Sequence, residues 1–255
     1  MADITADGMG FRVGHVLTQS FSIFFRNIAP FGLLALVLTS PTYLYQMFAG
    51  IPDFADFETL QWDGGVSVLL TVIELLLGYL VTAALVYGTL EDLRGNKVSV
   101  GDCFSQGLAR MFPVAGVAIV TMIVTGMAFA LLVIPGLIVT TMLWVTIPVA
   151  VVERRGLGSL SRSAELTKGY RWPLFGLLVI MFVIIIGISF LFGLVSAGIM
   201  VGGLTEATYA GLLATNWVAG SFAAMFAAIL YAVSYHDLRV TKEGLDTNQI
   251  ASVFD

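Results

Sequence analysis

Residues 114–152 read VAGVAIVTMIVTGMAFALLVIPGLIVTTMLWVTIPVAVV, a run without a single charged side chain. As one straight helix it would be roughly twice as long as the ~30 Å of hydrocarbon in a bilayer. The interruption is Pro135-Gly136. Proline cannot continue the helical hydrogen bonds and glycine permits a tight turn. The run therefore reads as a hairpin of two spans, Pro113–Ile134 and Gly136–Val152. Four more segments of spanning length flank it: Ile28–Phe48, Val66–Leu90, Trp172–Met200 and Tyr209–Tyr235. The expected fold is an all-α membrane protein of about six transmembrane helices, in one domain covering residues 1–255.

Composition agrees. Apolar residues make up 58% of the chain and charged residues 11%, against the ~25% of a soluble domain. Mean hydropathy is +0.94. Too few charges are present to cover a water-facing surface, whereas lipid tails can cover apolar side chains. The single cysteine, Cys103, rules out an intramolecular disulfide. The first apolar run starts near Ile28, behind a polar and amphipathic lead, so the first helix is expected to be retained rather than cleaved.

Orientation follows from the basic residues. All twelve Lys and Arg fall in alternate connections. Arg12 and Arg26 precede the first span; Arg94, Lys97 and Arg110 follow the second. Arg154, Arg155, Arg162, Lys168 and Arg171 follow the fourth, and Arg239 and Lys242 follow the sixth. The Ala49–Gly65 loop instead carries Asp53, Asp56, Glu58 and Asp63. The positive-inside rule places the basic connections, and both termini, in the cytoplasm.

Short patterns recur. The odd spans open with a basic residue, a proline and then a glycine: Arg26…Pro30-Phe31-Gly32, Arg110…Pro113…Gly116 and Arg171-Trp172-Pro173…Gly176. The even spans close on an acid near an arginine: Asp92-Leu93-Arg94, Glu153-Arg154-Arg155 and Asp237-Leu238-Arg239. Three copies of one unit are expected, at 11–94, 95–155 and 156–239, each a cytoplasmic amphipathic helix followed by a transmembrane hairpin. In the first lead-in, Arg12, His15, Gln19, Ser22 and Arg26 form one polar stripe at helical spacing. That helix suits either the lipid interface or the protein's own cytoplasmic face. Ser99 and Asp102 have capping spacing for a second lead-in. An acid in the last turn of a helix faces the negative end of the helix dipole. Asp92, Glu153 and Asp237 are therefore expected to pair with lead-in arginines such as Arg26, Arg110 and Arg171.

Glu74 lies inside the second span, where a carboxylate costs ~2.5–3.5 kcal/mol on insertion scales and points to function. Thr71, Gly78, Thr82 and Thr89 share its face, so the stripe should face other helices or a wet cavity. It reads either as a proton or ion site or as a hydrogen-bonded interhelical contact. Asn216 is the second intramembrane polar candidate, an amide expected to bond across a helix interface. Around it, Ala219, Gly220, Ala223, Ala224, Ala227 and Ala228 suit close helix packing, within one chain or between copies. Two histidines and one cysteine give no metal-ligand spacing. No phosphate-binding loop, nucleophile elbow or zincin motif occurs, and the scattered cations do not suit nucleic acid.

Tyr231-Ala232-Val233-Ser234-Tyr235-His236-Asp237-Leu238-Arg239 with Lys242-Glu243-Gly244, and Pro148…Glu153 followed by Ser159…Ser163 and Arg171…Phe175-Gly176, resemble uncharacterised bacterial membrane proteins related to the membrane domain of glycerophosphoryl diester phosphodiesterases. The resemblance covers mainly residues 145–245. It implies a bacterial inner membrane and a lipid-related role. In those enzymes catalysis resides in a separate soluble domain, so phosphodiesterase activity is not carried over. The expected function is non-enzymatic binding or organisation of membrane lipid, as a homo-oligomer and without metal or cofactor. The alternative is a small transporter or channel using Glu74 and Asn216.

Overall fold

The computed structural model describes residues 10–49, 64–201, 203 and 205–244. The acidic connection with Asp53, Asp56, Glu58 and Asp63 lies outside them. The described residues form nine helices and no strand: α1 (Val13–Arg26), α2 (Ile28–Ala49), α3 (Gly64–Leu93), α4 (Val100–Leu131), α5 (Val133–Met142), α6 (Thr146–Glu153), α7 (Gly158–Thr167), α8 (Arg171–Met200) and α9 (Glu206–Glu243). Six stretches are long and apolar enough to cross a membrane: Ile28–Phe48, Val68–Leu93, Val100–Leu131, Val133–Glu153, Arg171–Met200 and Glu206–Glu243. The protein is an all-α, multi-pass membrane protein. Helices satisfy every backbone donor within the segment, which hydrocarbon demands.

Prolines set the breaks. Pro30, in the first turn of α2, cannot extend α1, and the two helices meet at the single non-helical residue Asn27. Pro41 lies inside α2, and the hydroxyl of Ser40 donates to the Val37 carbonyl that the proline leaves without an amide, at 2.8 Å. Two helix starts carry side-chain caps, the first of them at the spacing read from the sequence. Ser99 accepts from the Asp102 amide at 3.3 Å to open α4, and Thr205 and Thr208 cap α9 reciprocally.

The third and fourth spans depart from expectation in three ways. The second lead-in is not a separate helix but the start of α4, which runs without a break through Pro113. The hairpin turns at Leu132, extended at φ −165°, and not at Pro135-Gly136. Both of those residues sit in the first turn of α5, where a proline's missing N–H costs nothing. Gly136 serves close approach instead, because a Cβ there would lie 2.3 Å from a ring carbon of Phe129 on α4. The fourth span is broken, with α5 ending at Met142 and α6 starting at Thr146. Pro148 lies in the first turn of α6 and prevents a continuous helix. The Thr146 amide turns to Leu143, and the freed Met142 carbonyl accepts from Ser163 at 2.9 Å and Thr167 at 3.2 Å, both on α7.

α9 is the central post. It packs against α1, α2, α3, α6, α7 and α8, and Met225, Ile229, Leu230, Val233 and Tyr235 are fully buried. α3 and α4 approach closely where Gly107 meets Ala84; an added Cβ would come within 2.8 Å of the Ala84 methyl and 3.1 Å of its backbone. Such small-residue contacts let dispersion hold helices together in lipid, where burial from water gives no driving force. α1 packs on α9, with Phe21 and Phe24 against Phe226 at centroid distances of 4.9 and 5.8 Å. Along its polar stripe Arg12, His15, Ser22 and Arg26 are exposed, and so are Phe21 and Phe25 off it, so the helix packs on the protein and still presents apolar rings outward. Only Leu174 and Leu177 of α8 are fully buried, and its outer half is an exposed apolar face.

Candidate functional site

Glu74 and Asn216 come together. Both line a half-open cavity of about 320 Å³ between α2, α3 and α9, and both are exposed. Its floor is made by small residues, Ala35, Gly78, Gly220 and Ala224. Their missing side-chain volume is the space itself, so the small-residue pattern of α9 does more than bring helices together. Ala219 and Ala223, on a neighbouring face of α9, line a second cleft of about 290 Å³ against α8, which Asn216 and Gly220 also border.

The cavity wall is mainly apolar and carries a hydrogen-bonded cluster of polar and aromatic groups. The Trp217 indole N–H donates to Thr39 Oγ1 at 2.8 Å, Thr39 and Ser221 hydroxyls meet at 3.0 Å, and each hydroxyl also donates to a carbonyl of its own helix. Tyr43 stacks on Trp217 with centroids 4.6 Å apart and rings 8° from parallel. The Asn216 amide does not cross to another helix as expected; its Nδ2 donates to Leu212 of its own helix at 3.0 Å. Trp217, next along, makes the interhelical bond. Thr71 and Thr82 do not line the cavity: Thr71 is exposed, and Thr82, half-buried, donates to the Gly78 carbonyl at 2.8 Å. Among the described residues, no Lys, Arg or His lines the cavity, and none forms an ion pair with Glu74.

The exit acids face basic groups, in part with other partners than expected. Asp92 binds Arg26, whose Nε donates to Oδ1 at 3.1 Å and whose Nη2 binds Oδ2. That hydrogen bond raises the Arg26 pKa above its ordinary value. Glu153 pairs not with Arg110 or Arg171 but with Arg155 at 2.9 Å and Arg162 at 3.2 Å, and it accepts from Tyr235 at 3.1 Å. Arg162 also binds Glu243, which Arg239 holds at 2.8 Å. The result is a network across α6, α7 and α9. Asp237 faces His15 of α1 at 3.6 Å. The loop after α6 is short, which puts Arg162 of α7 within reach of Glu153, while Arg171 starts the next long helix. Arg110 instead lies buried over the Tyr87 ring, 5.4 Å from its centroid.

Arg171 lines a third space, a groove of about 590 Å³ between α5 and α8. Its walls are apolar: Ile134, Leu137, Ile138 and Phe175. Arg171 and Trp172 mark one end. The Nε of Arg171 is shielded from solvent and has no hydrogen-bond partner among the described residues, while Trp172 is 84% exposed. No group of three or more His, Cys, Asp or Glu suited to a metal occurs among the described residues. Comparisons with family models, with characterised proteins and with solved structures find no match.

Proposed function

We propose that this is a non-enzymatic integral membrane protein that binds and organises lipid as a homo-oligomer, set in a bacterial inner membrane with both termini cytoplasmic. The α5/α8 groove carries the reading. It offers apolar walls for an acyl chain and a guanidinium at one end for a phosphate, and an exposed tryptophan at its mouth suits the headgroup level. Lys168 and Lys242 add positive charge around Arg171. The bare outer face of α8 calls for a covering of lipid or of a second copy. The segregation of all twelve cations supports the orientation.

Mass spectrometry of the full chain released from native membranes tests this. The expected result is two or more subunits with retained anionic phospholipid, reduced at least threefold by Arg171→Gln with Trp172→Ala. A lipid-free monomer would sink the reading.

Transport is a second reading, favoured by the one cavity that gathers Glu74 and Asn216. The Thr39 and Ser221 hydroxyls donate to carbonyls of their own helices, and Glu74 lines the same space.

A further inference from the structure

The α2/α3/α9 cavity has a chemical sign. Glu74 supplies a carboxylate, and no Lys, Arg or His is among the described lining residues. The Asn216 amide gives one N–H to Leu212 and keeps its oxygen as an acceptor, and Gln46 brings a second amide. The Tyr43–Trp217 pair adds π-faces, locked by the indole bond to Thr39. Carboxylate, amide oxygen and aromatic face all favour a cation. A divalent metal wants several hard anionic oxygens, and the described lining holds one carboxylate. The volume, about 320 Å³, is also far larger than a bare ion. An organic cation meets both conditions, since ammonium groups pair with a carboxylate and lie well against Trp and Tyr.

We propose that this cavity binds an ammonium group, with Glu74 as its counter-ion, Asn216 and Gln46 as hydrogen-bond acceptors, and Tyr43 and Trp217 as its aromatic wall. The ammonium belongs either to a free amine or to the headgroup of an amine-bearing phospholipid. This deepens the transport reading and is independent of the α5/α8 groove.

The test uses the full chain in maltoside detergent, which carries no ammonium. Binding of ethanolamine and of short-chain phosphatidylethanolamine is measured by calorimetry, with short-chain phosphatidylglycerol as the comparison. At least one of the two amines binds, more tightly than phosphatidylglycerol. Glu74→Gln weakens that binding at least tenfold and Trp217→Leu severalfold, while Ser189→Ala, in the other cleft, leaves it unchanged. Ethanolamine binding identifies a soluble amine; binding of the phospholipid alone identifies the headgroup. A second measurement avoids any misfolded variant: the amine that binds should protect Glu74 of the unaltered chain from a hydrophobic carbodiimide, read by peptide mass spectrometry. Equal binding by Glu74→Gln, or no binding and no protection by either amine, overturns the proposal. Phosphatidylglycerol retained by a protein that ignores both amines would defeat this site while leaving the lipid reading intact.

Discussion

Glu153 shows how burial decides what a charge is worth. Its side chain is 7% exposed and meets Arg162 at 17% and Arg155 at 56%. Replacing it with Gln removes the buried charge and leaves Arg162 with Glu243 and the more distant, exposed Glu165. The expected cost is about 2–4 kcal/mol, close to that of breaking a buried pair. Arg155→Ala, at an exposed and solvated position, should cost only ~0–1 kcal/mol. Thermal unfolding of the two variants in the same detergent checks the difference; equal melting temperatures would refute it. At this scale the sequence is half legible. An acid in a helix's last turn demands a cation, so the existence of partners for Asp92, Glu153 and Asp237 could be read. Which cation answers depends on the turn after α6, where Arg154 adopts a left-handed φ of 51° and redirects the chain. No spacing rule carries that. Glu74 and Asn216 announced themselves as polar groups in apolar runs. Tyr43, Trp217 and Thr39 did not, because aromatic and hydroxyl residues near a span's end are ordinary interfacial composition.

Among the elements, the break between α5 and α6 has the clearest consequence. The Met142 carbonyl, lost to its own helix, is held by two hydroxyls from α7. Ser163→Ala or Thr167→Val alone should cost ~1 kcal/mol, since one donor remains. The pair together should cost about 2–3 kcal/mol, because a buried carbonyl is then left without a partner. Melting of the single and double variants checks this, and strict additivity at small cost would count against it. Pro135 identified one disturbed region but not its own role in it, and the break before Pro148 was not expected, because Gly136–Val152 reads as one span. Pro135 and Pro148 each sit inside a first turn, after the break they enforce, so the turn itself falls a few residues earlier. The first lead-in was legible as a polar stripe and the second from its capping spacing, yet neither signal tells a helix that stops from one that continues, and α4 continues.

For the whole molecule, hydropathy and cation placement carried the class and the number of apolar helices, because a bilayer leaves the backbone little choice. The orientation is open to direct measurement. Ser161 is exposed on α7, and Cys103 is buried. In a Ser161→Cys variant, a membrane-impermeant thiol reagent should label inside-out vesicles and leave intact cells unlabelled; the reverse pattern would invert the topology. What the pattern of apolar residues could not convey is how space is shared around α9. Asn216 and Gly220 border the Glu74 cavity on one side and the cleft against α8 on the other. α9 thus forms a wall common to two half-open spaces. A bulkier residue at position 220 crowds both rooms at once.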